Sequence, residues 1–130
     1  MNDPIADMIV RIKNAGDAGR SVISFPYSKI KMSLATLLKN HGFLKNVSKD
    51  GKKVNKTIEV ELLINEDKTP RVKGVRRVSK FSRRIYVKSR EIKPVKSGFG
   101  KLILSTSKGI LTGNEAKSLN LGGEVLFEIW

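Results

Sequence analysis

The sequence predicts an α+β fold, with an N-terminal helix–strand–helix–hairpin subdomain packed with a C-terminal β-rich subdomain that carries one short helix. Apolar residues recur at helical spacing as far as Leu38, and beyond Gly42 the period turns to strict alternation. The remainder is β-prone, broken by turns, and holds a single helix-capping signal. At 130 residues the chain suffices for one domain or for two small subdomains.

Asp3 before Pro4 reads as a helix start, because Asp accepts from free first-turn amides and Pro fits the first helical position. Ile5, Met8, Ile9 and Ile12 then share one face, and Gly16 is expected to end the helix. Ser21 to Phe25 predicts a short strand interrupted by Pro26. A second helix is expected from Ser28, with Ile30, Leu34, Leu37 and Leu38 inward, Gly42 beyond its end, and Lys29, Lys31 and Lys39 on its outer surface. Ile58, Val60, Leu62 and Ile64 alternate with Glu59 and Glu61 as a half-buried strand. Phe43 to Val47 is its expected hairpin partner, with Ser48 to Lys56, including Asp50-Gly51, as the turn region.

Asn65 to Pro70 is polar and turn-rich, which places the expected subdomains at 1–65 and 71–130 with 66–70 connecting them. In the second half Arg71, Lys73, Arg76, Arg77, Lys80, Arg83, Arg84, Lys88 and Arg90 alternate with apolar residues, and Glu91 is the only acid between Arg71 and Lys101. Leu102-Ile103-Leu104 predicts a strand that runs into a polar turn, Ser105 to Gly109. Thr112 and Glu115 have capping-box spacing, giving a short helix to about Leu119 that Gly122-Gly123 breaks. Val125, Phe127 and Ile129 alternate as a closing strand, and no internal repeat is evident.

Composition narrows the function class. Lys and Arg number 26 against 12 Asp and Glu, a formal charge of +14 with a pI near 10.3, which calls for a polyanionic partner. A merely soluble basic surface would need less charge. Cysteine is absent and His41 is the only histidine, which removes disulfides and thiolate chemistry and severely restricts triads and multi-histidine metal sites. No apolar run is long enough to span a bilayer, and the opening Asn2-Asp3-Pro4 lacks the pattern of a secretory signal, so the protein is expected to stay where it is made.

The individual candidates for chemistry are weaker than the bulk signal. Asp3 and Asp7 could share a metal, but a helix cap and a first-turn acid explain both. Gly98-Phe99-Gly100-Lys101 lacks the spacing of a phosphate loop and reads better as a glycine turn. Ser105, Thr106 and Ser107 set three hydroxyls in succession beside Lys108 and Gly109. Hydroxyls both donate and accept, so such a loop can meet phosphates, ribose hydroxyls and base edges, or it can be an ordinary polar turn. The basic charge tips the balance toward binding. Phe81, Tyr86 and Phe99 lie among the cations of the second half, where rings can stack on unpaired bases. Core packing rivals that reading for Phe81 and Phe99, whereas the polar end of Tyr86 suits it to contact. Trp130 is expected to pack at the terminus.

These segments together resemble the bacterial-type family of ribosomal small-subunit protein eight, over essentially the whole chain. The resemblance is carried by Ser105-Thr106-Ser107-Lys108-Gly109-Ile110-Leu111-Thr112, Glu115-Ala116 and Gly122-Gly123-Glu124 near the end. Asp3-Pro4-Ile5-Ala6-Asp7-Met8, Arg11-Ile12, Asn14, Ser28-Lys29-Ile30-Lys31 and Gly42-Phe43 carry it in the first half. It implies a scaffold without cofactor or small-molecule substrate that binds the central domain of small-subunit ribosomal RNA early in assembly. The contacts it implies are Ser105, Thr106, Ser107 and Gly109, with Glu124 and Tyr86 nearby, and Lys29 and Lys31 from the first half. Lys108 of the hydroxyl loop, with Lys80, Arg83 and Arg84 of the basic stretch, completes the candidate RNA-binding set. The implied neighbours are the fifth and twelfth small-subunit proteins, and many members bind a similar element in their own operon messenger RNA. The implied location is the ribosome, in the cytoplasm or in an organelle.

One departure stands out: where the family commonly has Pro-Gly after Arg77-Val78-Ser79-Lys80, this chain has Phe81-Ser82. A glycine-like positive φ at Ser82 would cost about 1 kcal/mol, so a shifted turn is expected to be open to it. The rival functions are a nonspecific nucleic-acid condenser, which lacks a use for a discrete hydroxyl loop, and a small metal-dependent nuclease built on Asp3 and Asp7.

Overall fold

The computed structural model describes residues 3–51 and 55–130, which form two compact units, Met1–Lys73 and Gly74–Trp130. The mixed α+β class read from the sequence holds in both, with the helices mainly in the first unit and the strands mainly in the second.

In the first unit, α1 (Pro4–Asp17) starts on Asp3, whose carboxylate accepts from the Ala6 amide at 3.1 Å. Ile5, Met8, Ile9, Ile12 and Ala15 form its buried stripe. Gly16 does not end this helix. It lies buried in the last turn, where an added Cβ would sit 2.9 Å from Pro70, so its lack of a side chain serves a close approach. Gly19 at φ +75° terminates it, with the Arg20 amide bonded back to the Ala15 carbonyl at 2.9 Å.

The strands β1 (Val22–Pro26), β2 (Leu44–Asp50) and β3 (Thr57–Leu62) form an antiparallel sheet in the order β1-β3-β2. Pro26 is tolerated because it ends an edge strand, where no ladder amide is lost. Ile58, Val60 and Leu62 are buried as the alternation requires, but Ile64 is 42% exposed, because β3 ends at Leu62 and Ile64 makes only an isolated bridge to Pro70. Of the expected hairpin turn, Ser48 to Asp50 extend β2, Gly51 follows at φ +95°, and 52–54 lie outside the described residues.

Between β1 and β2, α2 (Lys29–Asn40) is capped by the Ser28 hydroxyl, which accepts from the Lys31 amide at 3.2 Å. Leu34, Leu37 and Leu38 are buried, whereas Ile30, expected inward, is 40% exposed because burial on this helix begins one turn later. Lys29 and Lys39 are exposed, while Lys31 is half-buried and not fully on the outer surface.

The second unit is a five-stranded antiparallel sheet built around β8 (Gly123–Ile129). β4 (Val75–Arg77) and β5 (Tyr86–Val87) pair with β8, β6 (Lys101–Thr106) pairs with it independently, and β7 (Gly109–Thr112) pairs with β6. Short 3-10 turns at Ser89–Glu91 and Lys96–Gly98 join β5 to β6. α3 (Gly113–Ser118) opens with the expected capping box, the Glu115 amide donating to Thr112 Oγ1 at 3.3 Å and the Thr112 amide to Glu115 Oε1 at 3.0 Å. Its Ala116 packs with Ile92, Leu104 and Val125 in the core of the unit.

Asn120 at φ +56°, and not Gly122-Gly123, ends α3, since Asn is one of the few side chains that accept the left-handed region. The two glycines serve the sheet. A Cβ at Gly122 would meet the Val87 carbonyl oxygen at 2.3 Å, and one at Gly123 the Ser105 carbonyl oxygen at 2.2 Å. Trp130 packs its ring over Gly74, and the two residues exchange backbone hydrogen bonds at 3.1 and 3.0 Å.

Candidate nucleic-acid interface

The hydroxyl segment is a hairpin and not a five-residue turn. Ser105 and Thr106 are the last residues of β6, and only Ser107 and Lys108 project between the paired Thr106 and Gly109. Gly109 takes φ +104°, a value that a side chain at this position would resist. Thr106 holds the hairpin together: its Oγ1 accepts from the Lys108 amide at 3.1 Å and donates to the Gly109 carbonyl at 2.8 Å. Ser107 and Lys108 are exposed at the tip, and the Ser107 hydroxyl makes no hydrogen bond among the described residues.

Strand register brings distant candidates together. Ile110 on β7 faces Ser105 on β6, Ser105 faces Glu124 on β8, and Glu124 faces Tyr86 on β5. Residues directly opposite one another across antiparallel strands project from the same face. Ser105, Glu124 and Tyr86 therefore form one row, although 38 positions separate Tyr86 from Glu124 in sequence (124 − 86). The close β6–β8 approach that sets this row depends on the missing side chain of Gly123.

The row has a defined polarity. Tyr86 is 68% exposed and offers ring and hydroxyl outward, Ser105 is half-buried, and the Glu124 carboxylate is held by Arg84 Nη1 at 3.0 Å. An ionised carboxylate is acceptor-only, so Glu124 can receive from a base amine or a ribose hydroxyl while still paired with Arg84. The surface therefore presents an acceptor, hydroxyls that work both ways, an aromatic face and surrounding cations.

Lys80 and Arg83 stand at the base of a two-residue turn over Phe81-Ser82, each donating its amide to the other's carbonyl, at 2.9 and 3.0 Å. Neither Phe81 nor Ser82 has a positive φ, so replacing a Pro-Gly turn has not strained the backbone. Core packing is excluded for the two phenylalanines left open by the sequence: Phe81 is 73% and Phe99 82% exposed. Gly98-Phe99-Gly100 is a turn, with the Gly98 and Gly100 amides both donating to the Val95 carbonyl at 3.0 Å.

In the first unit, Lys29 and Lys31 occupy the first turn of α2, where no acid is present. Two cations beside the positive end of a helix dipole repel it, an arrangement that an incoming phosphate would reverse. Sequence reasoning did not nominate a cleft of about 290 Å³ lined by Arg11, Asn14, Arg20 and Ile23. Arg11 is already engaged there, donating to the Ser24 carbonyl at 3.1 Å and lying 4.7 Å from the centre of the Phe25 ring. Nor was the pairing of Arg76 with Glu128 foreseen, in which the carboxylate, accepting from Nε and Nη2 at 3.2 and 3.0 Å, favours the charged guanidinium still further. Asp3 is committed to its cap, and among the described residues no three metal-binding side chains cluster. No helix among the described residues is long and apolar enough to cross a membrane.

Comparison with known proteins gives the family. Residues 3–130 match the family model described as ribosomal protein S8. The protein called small ribosomal subunit protein uS8 of Corynebacterium jeikeium is 43% identical over 130 residues, covering 100% of this chain and 98% of the relative. Those of Geotalea uraniireducens and Geobacter metallireducens are 44% and 45% identical with the same coverage.

Proposed function

The chain belongs to the ribosomal protein S8 family, a structural and non-enzymatic component of the ribosome, and from that membership we propose that it binds the central domain of small-subunit ribosomal RNA directly. The observation that carries this reading is the row of Ser105, Glu124 and Tyr86 beside the uncommitted Ser107 hydroxyl. Hydroxyl donors and acceptors at close range suit exposed base edges and the ribose 2′-hydroxyl, the group that singles out RNA, while the surrounding lysines and arginines position phosphates. Lys108, Gly109, Lys80, Arg83 and Arg84 belong to this surface, and Lys29 and Lys31 supply phosphate contacts from the first unit.

The mechanism is scaffolding. Contacts favourable to one RNA conformation shift the folding ensemble toward it, with no covalent bond made or broken, and the fixed RNA then promotes subunit assembly. Neighbouring small-subunit proteins, the fifth and twelfth by resemblance, would share the resulting platform in the ribosome. A like element in the operon messenger RNA would be held by the same surface, repressing translation of the chain's own operon.

Competition tests the reading against a nonspecific condenser. A central-domain ribosomal RNA fragment should outcompete duplex DNA at equal phosphate and matched salt by about a hundredfold or more. Equal competition would reject specific RNA recognition and leave only charge.

A further inference from the structure

We propose that Phe81 is a base-stacking tip, an aromatic face held out from the second unit to receive an unpaired base of the bound RNA; this rests on the reading that the unit binds RNA. An isolated exposed apolar residue needs no explanation, but this one is presented by a rigid mount. The turn that carries it is closed by reciprocal backbone hydrogen bonds between Lys80 and Arg83 at 2.9 and 3.0 Å. Below the turn, Ser79 is fully buried; its hydroxyl accepts from the Ile85 amide at 2.8 Å and donates to the Ile85 carbonyl at 3.2 Å. The Ser79 amide donates in turn to the Val125 carbonyl of β8 at 3.1 Å. The stem is thus fixed to the sheet, while the ring at its apex stays 73% exposed.

Chemistry around the ring selects a nucleotide. Lys80 and Arg83 flank it, are exposed, and have no side-chain partner among the described residues, whereas Arg84 is held by Glu124. A bare π face between two available cations matches the two halves of a nucleotide, an aromatic base and a phosphate. An apolar protein surface would cover the ring only by desolvating both cations. The base must be unpaired, because in a duplex both its faces are taken by stacked neighbours. Position agrees with this: a short segment leads from the turn through Arg84, whose guanidinium pairs with Glu124 of the row at 3.0 Å, to Tyr86, a member of the row itself.

The test is titration of the full chain with a central-domain ribosomal RNA fragment containing internal loops, and with a fully paired RNA duplex of equal phosphate number at matched salt. Phe81→Ala should weaken binding to the looped RNA by about fivefold to a hundredfold and leave duplex affinity unchanged. Phe81→Trp should bind at least as tightly as the parent, and Phe81→Leu should remain as weak as the alanine variant, since leucine is apolar but has no π face. Parental affinity in Phe81→Leu would show an apolar contact with the RNA that needs no π face, and overturn the inference. Equal weakening of both RNAs by Phe81→Ala would do the same. Ser107→Ala separates the two readings. If it weakens looped-RNA binding while Phe81→Ala does not, this contact falls and the proposed function stands. If both variants are silent and loops confer no preference, both fall. Circular dichroism of each variant checks the fold, which an exposed turn residue should not disturb.

Discussion

Thr106 and Ser107 are neighbours of almost the same chemistry with opposite employment. The Thr106 hydroxyl is satisfied within the hairpin, accepting from Lys108 and donating to Gly109, while that of Ser107 is open to a partner. Ser107→Ala should therefore cost roughly 1–3 kcal/mol of binding to central-domain RNA if the hydroxyl meets a buried RNA polar group, because that group would be left unsatisfied. Duplex affinity and the unfolding midpoint should hardly move. Thr106→Val keeps the shape and removes both hairpin bonds, so it should lower the stability of the free protein by about 1 kcal/mol and weaken RNA binding only through the loosened tip. Thermal unfolding measured alongside the two affinities distinguishes the cases. A stability loss in Ser107→Ala as large as in Thr106→Val would make Ser107 a turn residue and not a reader.

At the scale of elements, α2 starts with a conflict: Ser28 caps it well, yet Lys29 and Lys31 place positive charge where the helix dipole is already positive. Replacing both by glutamine should stabilise the free protein by a few tenths of a kcal/mol while weakening binding to many RNAs alike and flattening its salt dependence. Unchanged affinity and salt slope in the double variant would show that this end of α2 meets no phosphate. The helix was legible because its signals are local, a serine cap and leucines at helical spacing, as were Asp3 before α1 and the Thr112/Glu115 box before α3. What escaped was set by distant chain. Gly16 looks like a terminator until Pro70 is seen beside it, and Gly122-Gly123 looks like a helix breaker until β5 and β6 close in. The row of Ser105, Glu124 and Tyr86 exists only through strand pairing, which no local pattern records; family resemblance named its members without giving their alignment. Phe81 stayed undecided because alternation with cations fits a core strand and an exposed turn equally well.

The whole molecule carries +14, and that charge acts with opposite signs on folding and on binding. Brought together in a compact fold, surplus cations repel one another and destabilise it; brought against phosphates, they release counterions and drive association. Raising sodium chloride from about 0.05 to 0.5 M shortens the screening length from over 10 Å to a few ångströms, so it should weaken both effects. Some pairs oppose this: Lys13–Asp17, Arg76–Glu128 and Arg84–Glu124 are attractive and are screened as well. Each is exposed on at least one side and contributes at most about 1 kcal/mol, so a repulsion that involves most of 26 cations should prevail. The unfolding midpoint of the free protein should thus rise with salt, by roughly 4 °C for each kcal/mol of repulsion relieved. RNA affinity should fall over the same range, its logarithm dropping with log salt by about 0.7–0.9 for every phosphate neutralised. Chloride is the appropriate anion, because sulfate strengthens apolar burial by itself and would raise the midpoint for another reason. A midpoint that stays flat or falls would mean that attractive pairs such as these outweigh the surplus. The charge would then be tolerated in the free fold without strain, and its size would no longer argue that phosphates complete the working structure.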